Sequence, residues 1–184
     1  MKNFYINSSL VSPSTSYELT RYTLYEYMKS LTEEEKKALF KYSLDGYMLI
    51  NQRLRETFTY DADDVRKNIE LIDSALSKFK FFKPLKVTRK IFIYGSFKNY
   101  INEIEKKGFI LDKGFQSTSL STNVFNNFYN VILEIDIYNP FCGAFIAPIC
   151  SNPDEEEFLI KRDTKILIKD YSLENNILKV KGKI

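Results

Sequence analysis

Pro84 marks a change of period, and that change constrains the fold more than any other feature of the 184-residue chain. Ahead of it, apolar residues recur at steps of three and four, the spacing of amphipathic helices. Beyond it they mostly alternate or gather in short blocks, the spacing of strands. A helical half followed by a strand-rich half predicts an α+β fold with a largely antiparallel sheet. No internal repeat, low-complexity tract or linker splits the sequence, so residues 1–184 read as one domain. Residues 1–14 are a polar tether ending in Ser12-Pro13-Ser14.

In the first half, Leu24, Met28 and Leu31 mark one helix. Thr32-Glu33-Glu34-Glu35 is a capping box that opens a second helix running to about Tyr42. Ser43-Leu44-Asp45-Gly46 reads as a break, after which Tyr47, Ile50, Asn51 and Leu54 share a face of a third helix. Asp61-Ala62-Asp63-Asp64 opens a fourth, with Val65, Ile69, Ile72, Leu76 and Phe79 as its buried stripe. In the second half, Leu85–Arg89 and Ile91–Tyr94 read as two strand pieces. A short helix carries Tyr100, Ile101 and Ile104 and closes at Lys106-Lys107-Gly108. Strands are then expected at 114–119, Val131–Ile137, Cys142–Ile149, Phe158–Lys161, Thr164–Lys169 and Ile177–Val180, the last entered by an Asn175-Asn176 turn.

Histidine is absent. That excludes Ser-His-Asp and Cys-His relays, imidazole bases and His-ligated zinc, and leaves acid–base work to carboxylates, Lys or Tyr. Cys142 and Cys150 lack metal-ligand spacing and read as buried thiols. The net charge of +3 is small, and the lysines are interleaved with acids, so no basic stripe marks a nucleic-acid surface. No apolar run approaches the roughly 20 residues of a membrane span. The N-terminus has no continuous apolar region, so no signal peptide is expected. The protein is expected to be soluble, and either cytosolic where it is made or carried into a target cell by another component.

The most chemically loaded stretch is Asp154-Glu155-Glu156-Glu157-Phe158-Leu159-Ile160. If the apolar run is a strand, Glu155 and Glu157 share a face at its entrance while Glu156 points away. Two carboxylates so close raise each other's pKa and suit charge stabilisation and proton abstraction. A solvated acidic turn is the plainer reading of a lone Glu-x-Glu.

Two further islands stand beside it in order: Pro84-Leu85-Lys86-Val87-Thr88-Arg89 and Gly114-Phe115-Gln116-Ser117-Thr118-Ser119. Together the three resemble the Arg–Ser–Glu class of mono-ADP-ribosyltransferases, which includes clostridial actin-modifying toxins, related exoenzymes and small phage enzymes. The resemblance covers roughly residues 30 to 170. Val131–Ile135 and Gly143–Ile146 resemble the intervening family strands, and Tyr42–Arg55 the helical segment beside the cofactor pyrophosphate. Thr88 stands where an aromatic is usual, and Lys90 where glycine is frequent.

The resemblance implies an ADP-ribosyltransferase-like fold, with a helical N-terminal lobe packed on two mainly antiparallel β-sheets. It implies NAD as substrate, with no metal. Arg89 would face the NAD phosphates, with Lys90, Tyr42, Tyr47 and Asn51 as further cofactor contacts. Glu157 would stabilise the cationic ribose, and Ser117 would hold Glu157. Phe125 or Phe128 would stack on the nicotinamide, or belong to the core; the spacing fits both. Glu155 would set the acceptor, because in the family Glu there goes with arginine and Gln with asparagine or related acceptors. The expected partners are NAD and an acceptor protein, with arginine favoured and no membrane. NAD glycohydrolysis, a non-catalytic NAD-binding module and a nucleic-acid acceptor are the alternatives.

Overall fold

The computed structural model describes residues 13–57, 63–121, 128–139 and 141–184. Nearly all of the expected tether, the Asp61-Ala62 start of the fourth helix and Phe125 lie outside them.

Helix α1 (Pro13–Tyr22) winds through a π-helical stretch, Thr23–Tyr27, into α2 (Met28–Ser30). Its buried residues are Leu19, Thr23, Tyr27 and Leu31, whereas Leu24 is 43% exposed. The expected stripe is therefore corrected at Leu24. The buried positions recur every four residues, wider than the α period, because the π-turn widens the winding locally. Helix α3 (Glu33–Lys41) carries the expected capping box, with Thr32 and Glu35 each accepting from the other's backbone N–H. Tyr42–Gly46 is not a break but a second π-turn, continuous with α4 (Tyr47–Leu54).

Helix α5 (Asp63–Ser77) buries Ile69, Ile72 and Leu76 as its pattern requires. Phe79 is buried just past its end. Buried Glu35 ties α3 to this region by accepting from Ser74 and Lys78, each at 2.7 Å.

One strand, β1 (Leu85–Ile91), replaces the two pieces expected there. Helix α6 (Phe97–Lys107) ends at Gly108 as expected, and β2 (Phe109–Leu111) follows without having been anticipated. The remaining strands are β3 (Gln116–Ser119), β4 (Val131–Ile137), β5 (Gly143–Phe145), β6 (Glu157–Ile160), β7 (Lys165–Glu174) and β8 (Ile177–Lys183). β5 is shorter than Cys142–Ile149 because the chain turns after Phe145, where the Ile149 and Cys150 N–H groups both bond to the Ile146 carbonyl. β7 and β8 run longer than expected to either side of the Asn175-Asn176 turn, whose two residues have φ of 51° and 59°.

The α+β class is as expected. The strands follow the order β2-β7-β8-β4-β1-β3-β6-β5, and β4–β8 is the one parallel pair among them. β1 pairs with β4 along its whole length but meets β3 at a single register pair, Thr88↔Ser119. Among the described residues the strands form one eight-stranded mixed sheet in place of the two sheets expected, because β1 still bonds to β3; that narrow seam only marks off a five-stranded block from a three-stranded one. The N-terminal helices dock on the smaller block: Phe79 meets Phe158 edge-on at 6.1 Å, and the Thr23 hydroxyl donates to the Phe145 carbonyl. In register across the seam, Thr88 faces Ser119 and Ser119 faces Glu157. The row of strands at the junction thus presents Glu157 where the two blocks part.

Candidate active site

A cavity of about 600 Å³ opens at this seam, lined by Arg89, Ser117, Glu155 and Glu157 among others. The three sequence islands converge there, but not by the expected geometry. Strand β6 starts at Glu157; Glu155 ends a 3₁₀ turn, Pro153–Glu155, and Glu156 adopts a left-handed conformation (φ 46°, ψ 45°). Asn152-Pro153 sets this turn, with its carbonyls accepting from the N–H groups of Glu155 and Glu156. The two carboxylates therefore share a cavity without sharing a strand face. Glu156 turns away and accepts a hydrogen bond from Ser16 of α1.

Glu157 is 6% exposed. Burial pushes its pKa up to about 7, the Ser117 hydroxyl pulls the other way by bonding the carboxylate, and neighbouring Glu155 adds to the rise. Ser117 and Tyr42 line the cavity with Glu157. Thr118 and Ser119 also line the cavity, with their hydroxyls bonded to backbone carbonyls. Thr118 donates to the Phe158 carbonyl at 2.5 Å and Ser119 to the Glu155 carbonyl at 2.6 Å. The Asn152 amide donates to the Glu155 carboxylate at 3.1 Å.

Arg89 donates to Gln116 at 3.0 Å and to Asp112 at 3.3 Å. The other side of Asp112 is taken by Arg55, whose Nε and Nη2 fork onto its two oxygens at 2.8 Å each. Burial would raise the Asp112 carboxyl, but the Arg55 hydrogen bond, the Arg89 charge and the Gly114 N–H hold it below the usual carboxylate range. Burial lowers the Arg89 pKa. One carboxylate thus braces two guanidinium groups, leaving a net positive lobe beside the acidic one.

Sequence reasoning did not single out Arg55, Asp112 or Gln116. Arg55 closes the Tyr42–Arg55 segment, but nothing local marks Asp112 as its partner. Asp112→Ala leaves the two cations facing each other, and the expected loss is about 2 kcal/mol of stability. The midpoint of denaturant unfolding, variant beside parent, measures that loss.

The remaining predicted residues divide. Lys90, Tyr42, Tyr47 and Asn51 all line the cavity. Tyr47 is 44% exposed, whereas Tyr42 and Asn51 are buried. The Asn51 amide donates to the Tyr42 hydroxyl (3.1 Å) and its oxygen accepts from the Phe115 N–H (2.9 Å). Lys90 sits over the Tyr129 ring at 4.7 Å. Phe128 is not in the cavity lining: it is 68% exposed and stacks on Phe92 at 4.3 Å.

Across residues 17–184 the sequence matches the ADP-ribosyltransferase exoenzyme family. The chain belongs to that family. It is an NAD-dependent mono-ADP-ribosyltransferase resembling clostridial toxin catalytic domains. No curated protein sequence matches the enzyme.

Among solved structures, the transferase is similar to Plx2a, an ADP-ribosyltransferase toxin from Paenibacillus larvae. The two share 27% identity over 92% of this chain and 96% of that one, with a TM-score of 0.74. The C3 exoenzyme of Clostridium limosum matches at 20% identity over 91% and 93%, with a TM-score of 0.73. A C3 enzyme of S. aureus, determined with NAD, matches at 15% over 100% and 97%, with a TM-score of 0.74.

NAD is the substrate of this transferase. Among its described residues, no group of three His, Cys, Asp or Glu could hold a metal ion. No described helix is long and apolar enough to cross a membrane.

Proposed function

We propose that the enzyme transfers ADP-ribose from NAD to an arginine of an acceptor protein, releasing nicotinamide. The observation that carries this reading is the shared cavity: Glu155, Glu157 and Arg89 line it together. Arg89 and Arg55 present forks suited to phosphate oxygens and bind the diphosphate. As the bond between nicotinamide and ribose C1 breaks, positive charge develops on the ribose. The Glu157 carboxylate stabilises that charge and accepts the 2′-hydroxyl, in the manner of a glycosidase carboxylate. Ser117 locks its rotamer.

The acceptor guanidinium is protonated and needs a base before it attacks C1. Glu155 orients it and takes its proton as the new C–N bond forms. A partly exposed carboxylate at the cavity rim is suited to that task, and Asn152 fixes it there.

The test is mass spectrometry of proteins labelled with tagged NAD in a cell extract. ADP-ribose on arginine is the expected adduct. Adducts on asparagine or on nucleic acid would overturn the acceptor assignment. Free ADP-ribose with no labelled macromolecule would make water the acceptor.

A further inference from the structure

Between α3 and α4 the helix takes in one residue too many. The Tyr47 N–H donates to the Tyr42 carbonyl, five residues back, where an α-helix would use the fourth. A Cβ on Gly46 would fall 2.9 Å from the Lys41 carbonyl oxygen. Gly46 has an ordinary helical φ of −64°, so glycine is needed there for space and not for backbone freedom.

The extra residue changes which side chains meet. In an unbroken α-helix the nine steps from Tyr42 to Asn51 turn the chain through about 900°, onto opposite faces. Taking out one step leaves them about 80° apart, on one face. Tyr42 and Asn51 are indeed hydrogen-bonded to each other and grip the Phe115 backbone from both sides, Asn51 at its N–H and Tyr42 at its carbonyl. Phe115 leads into β3, which pairs with β6 so that Ser119 lies opposite Glu157, and Ser117 lines the cavity with Tyr42 and Glu157. A second branch leaves the same turn. The Ser43 hydroxyl accepts from the Ser151 N–H at 2.9 Å, and the Ser151 hydroxyl donates to the Ser43 carbonyl at 3.1 Å. Ser151 adjoins Asn152, which holds Glu155.

We propose that the π-turn Tyr42–Gly46 positions both carboxylates, Glu157 through the Tyr42–Asn51 grip and Glu155 through the Ser43–Ser151 pair. Gly46 and Ser43 are its positioning residues. The inference rests on the roles given above to Glu157 and Glu155.

Two measurements on the full chain test it: NAD hydrolysis, and tagged ADP-ribose incorporated into extract protein, each with the unfolding temperature. Alanine for glycine inside an ordinary helix raises stability and leaves chemistry alone. Here Gly46→Ala is expected to slow NAD hydrolysis about 100-fold, as a misplacement of the order of 1 Å does, without raising the unfolding temperature. Unchanged hydrolysis with a higher unfolding temperature overturns the proposal.

If Gly46→Ala does not fold, the Ser43 pair decides. Ser43→Ala should cut labelled protein per ADP-ribose released about tenfold, and Ser43→Thr should restore it. Equal ratios in all three proteins overturn the Glu155 branch. Hydrolysis needs no protein acceptor, and the label counts any acceptor side chain. A non-arginine adduct would therefore fail the proposed function while leaving both readouts intact. Arginine adducts at parental rates in both variants would uphold that function and defeat the positioning role.

Discussion

Glu157→Gln is expected to slow NAD cleavage and protein labelling together by about 100- to 1,000-fold, the loss seen when one preorganised charge-stabilising group is removed. Glutamine keeps the shape and a hydrogen-bond partner for Ser117, so the substitution removes the charge and little else. NAD affinity should change little, because Arg89 and Arg55, the proposed diphosphate contacts, are untouched. The pH profile follows from the raised pKa: with the carboxyl at about 7, the parental rate should climb as pH passes through that value.

Stability moves the opposite way. The folded protein holds the Glu157 proton more tightly than the unfolded chain, so folding is favoured below the usual carboxylate range and loses ground as pH rises towards 7. Glu157→Gln escapes that penalty. It should melt above the parent at about pH 8, and the gap should close by about pH 5. Parental NAD cleavage in the variant would remove Glu157 from the chemistry.

Glu155→Gln should instead separate the two reactions. Protein labelling is expected to fall about 100-fold or more, since general-base assistance is worth about 10²–10⁴. NAD hydrolysis should continue, because Glu157, Ser117 and both arginines are untouched. The Glu157 carboxyl should also titrate lower once its acidic neighbour is neutral, shifting the hydrolysis profile to lower pH. Single-turnover measurement of nicotinamide release beside protein label reads both effects. Equal loss of the two activities would defeat this division of labour.

Much of this site was legible in the sequence because its residues sit in short local patterns. Ser117 lies in a run of hydroxyls, Arg89 at the end of an alternating strand, and the two glutamates head an apolar block. Gly108 and Thr32 were legible for the same reason: a cap is a local hydrogen bond made within one turn. The misreadings share a different cause. Ser43-Leu44-Asp45-Gly46 has the composition of a break, yet the helix continues because Gly46 leaves room for the Lys41 carbonyl. Leu24 fits an α period that the π-turn in that helix abolishes. Phe128 finds Phe92, a partner that no spacing rule links to it.

Residue order by itself determined the change from helix to strand at Pro84, the absence of imidazole chemistry and the identity of the acidic and hydroxyl groups, because period and composition are properties of neighbouring residues. Only the tertiary structure decided that Asp112 stands between Arg55 and Arg89, that Glu155 reaches the cavity from a 3₁₀ turn, and that burial lifts Glu157 towards neutrality. Those outcomes depend on groups brought together from distant parts of the chain, where desolvation and charge act through space and leave no local pattern to read.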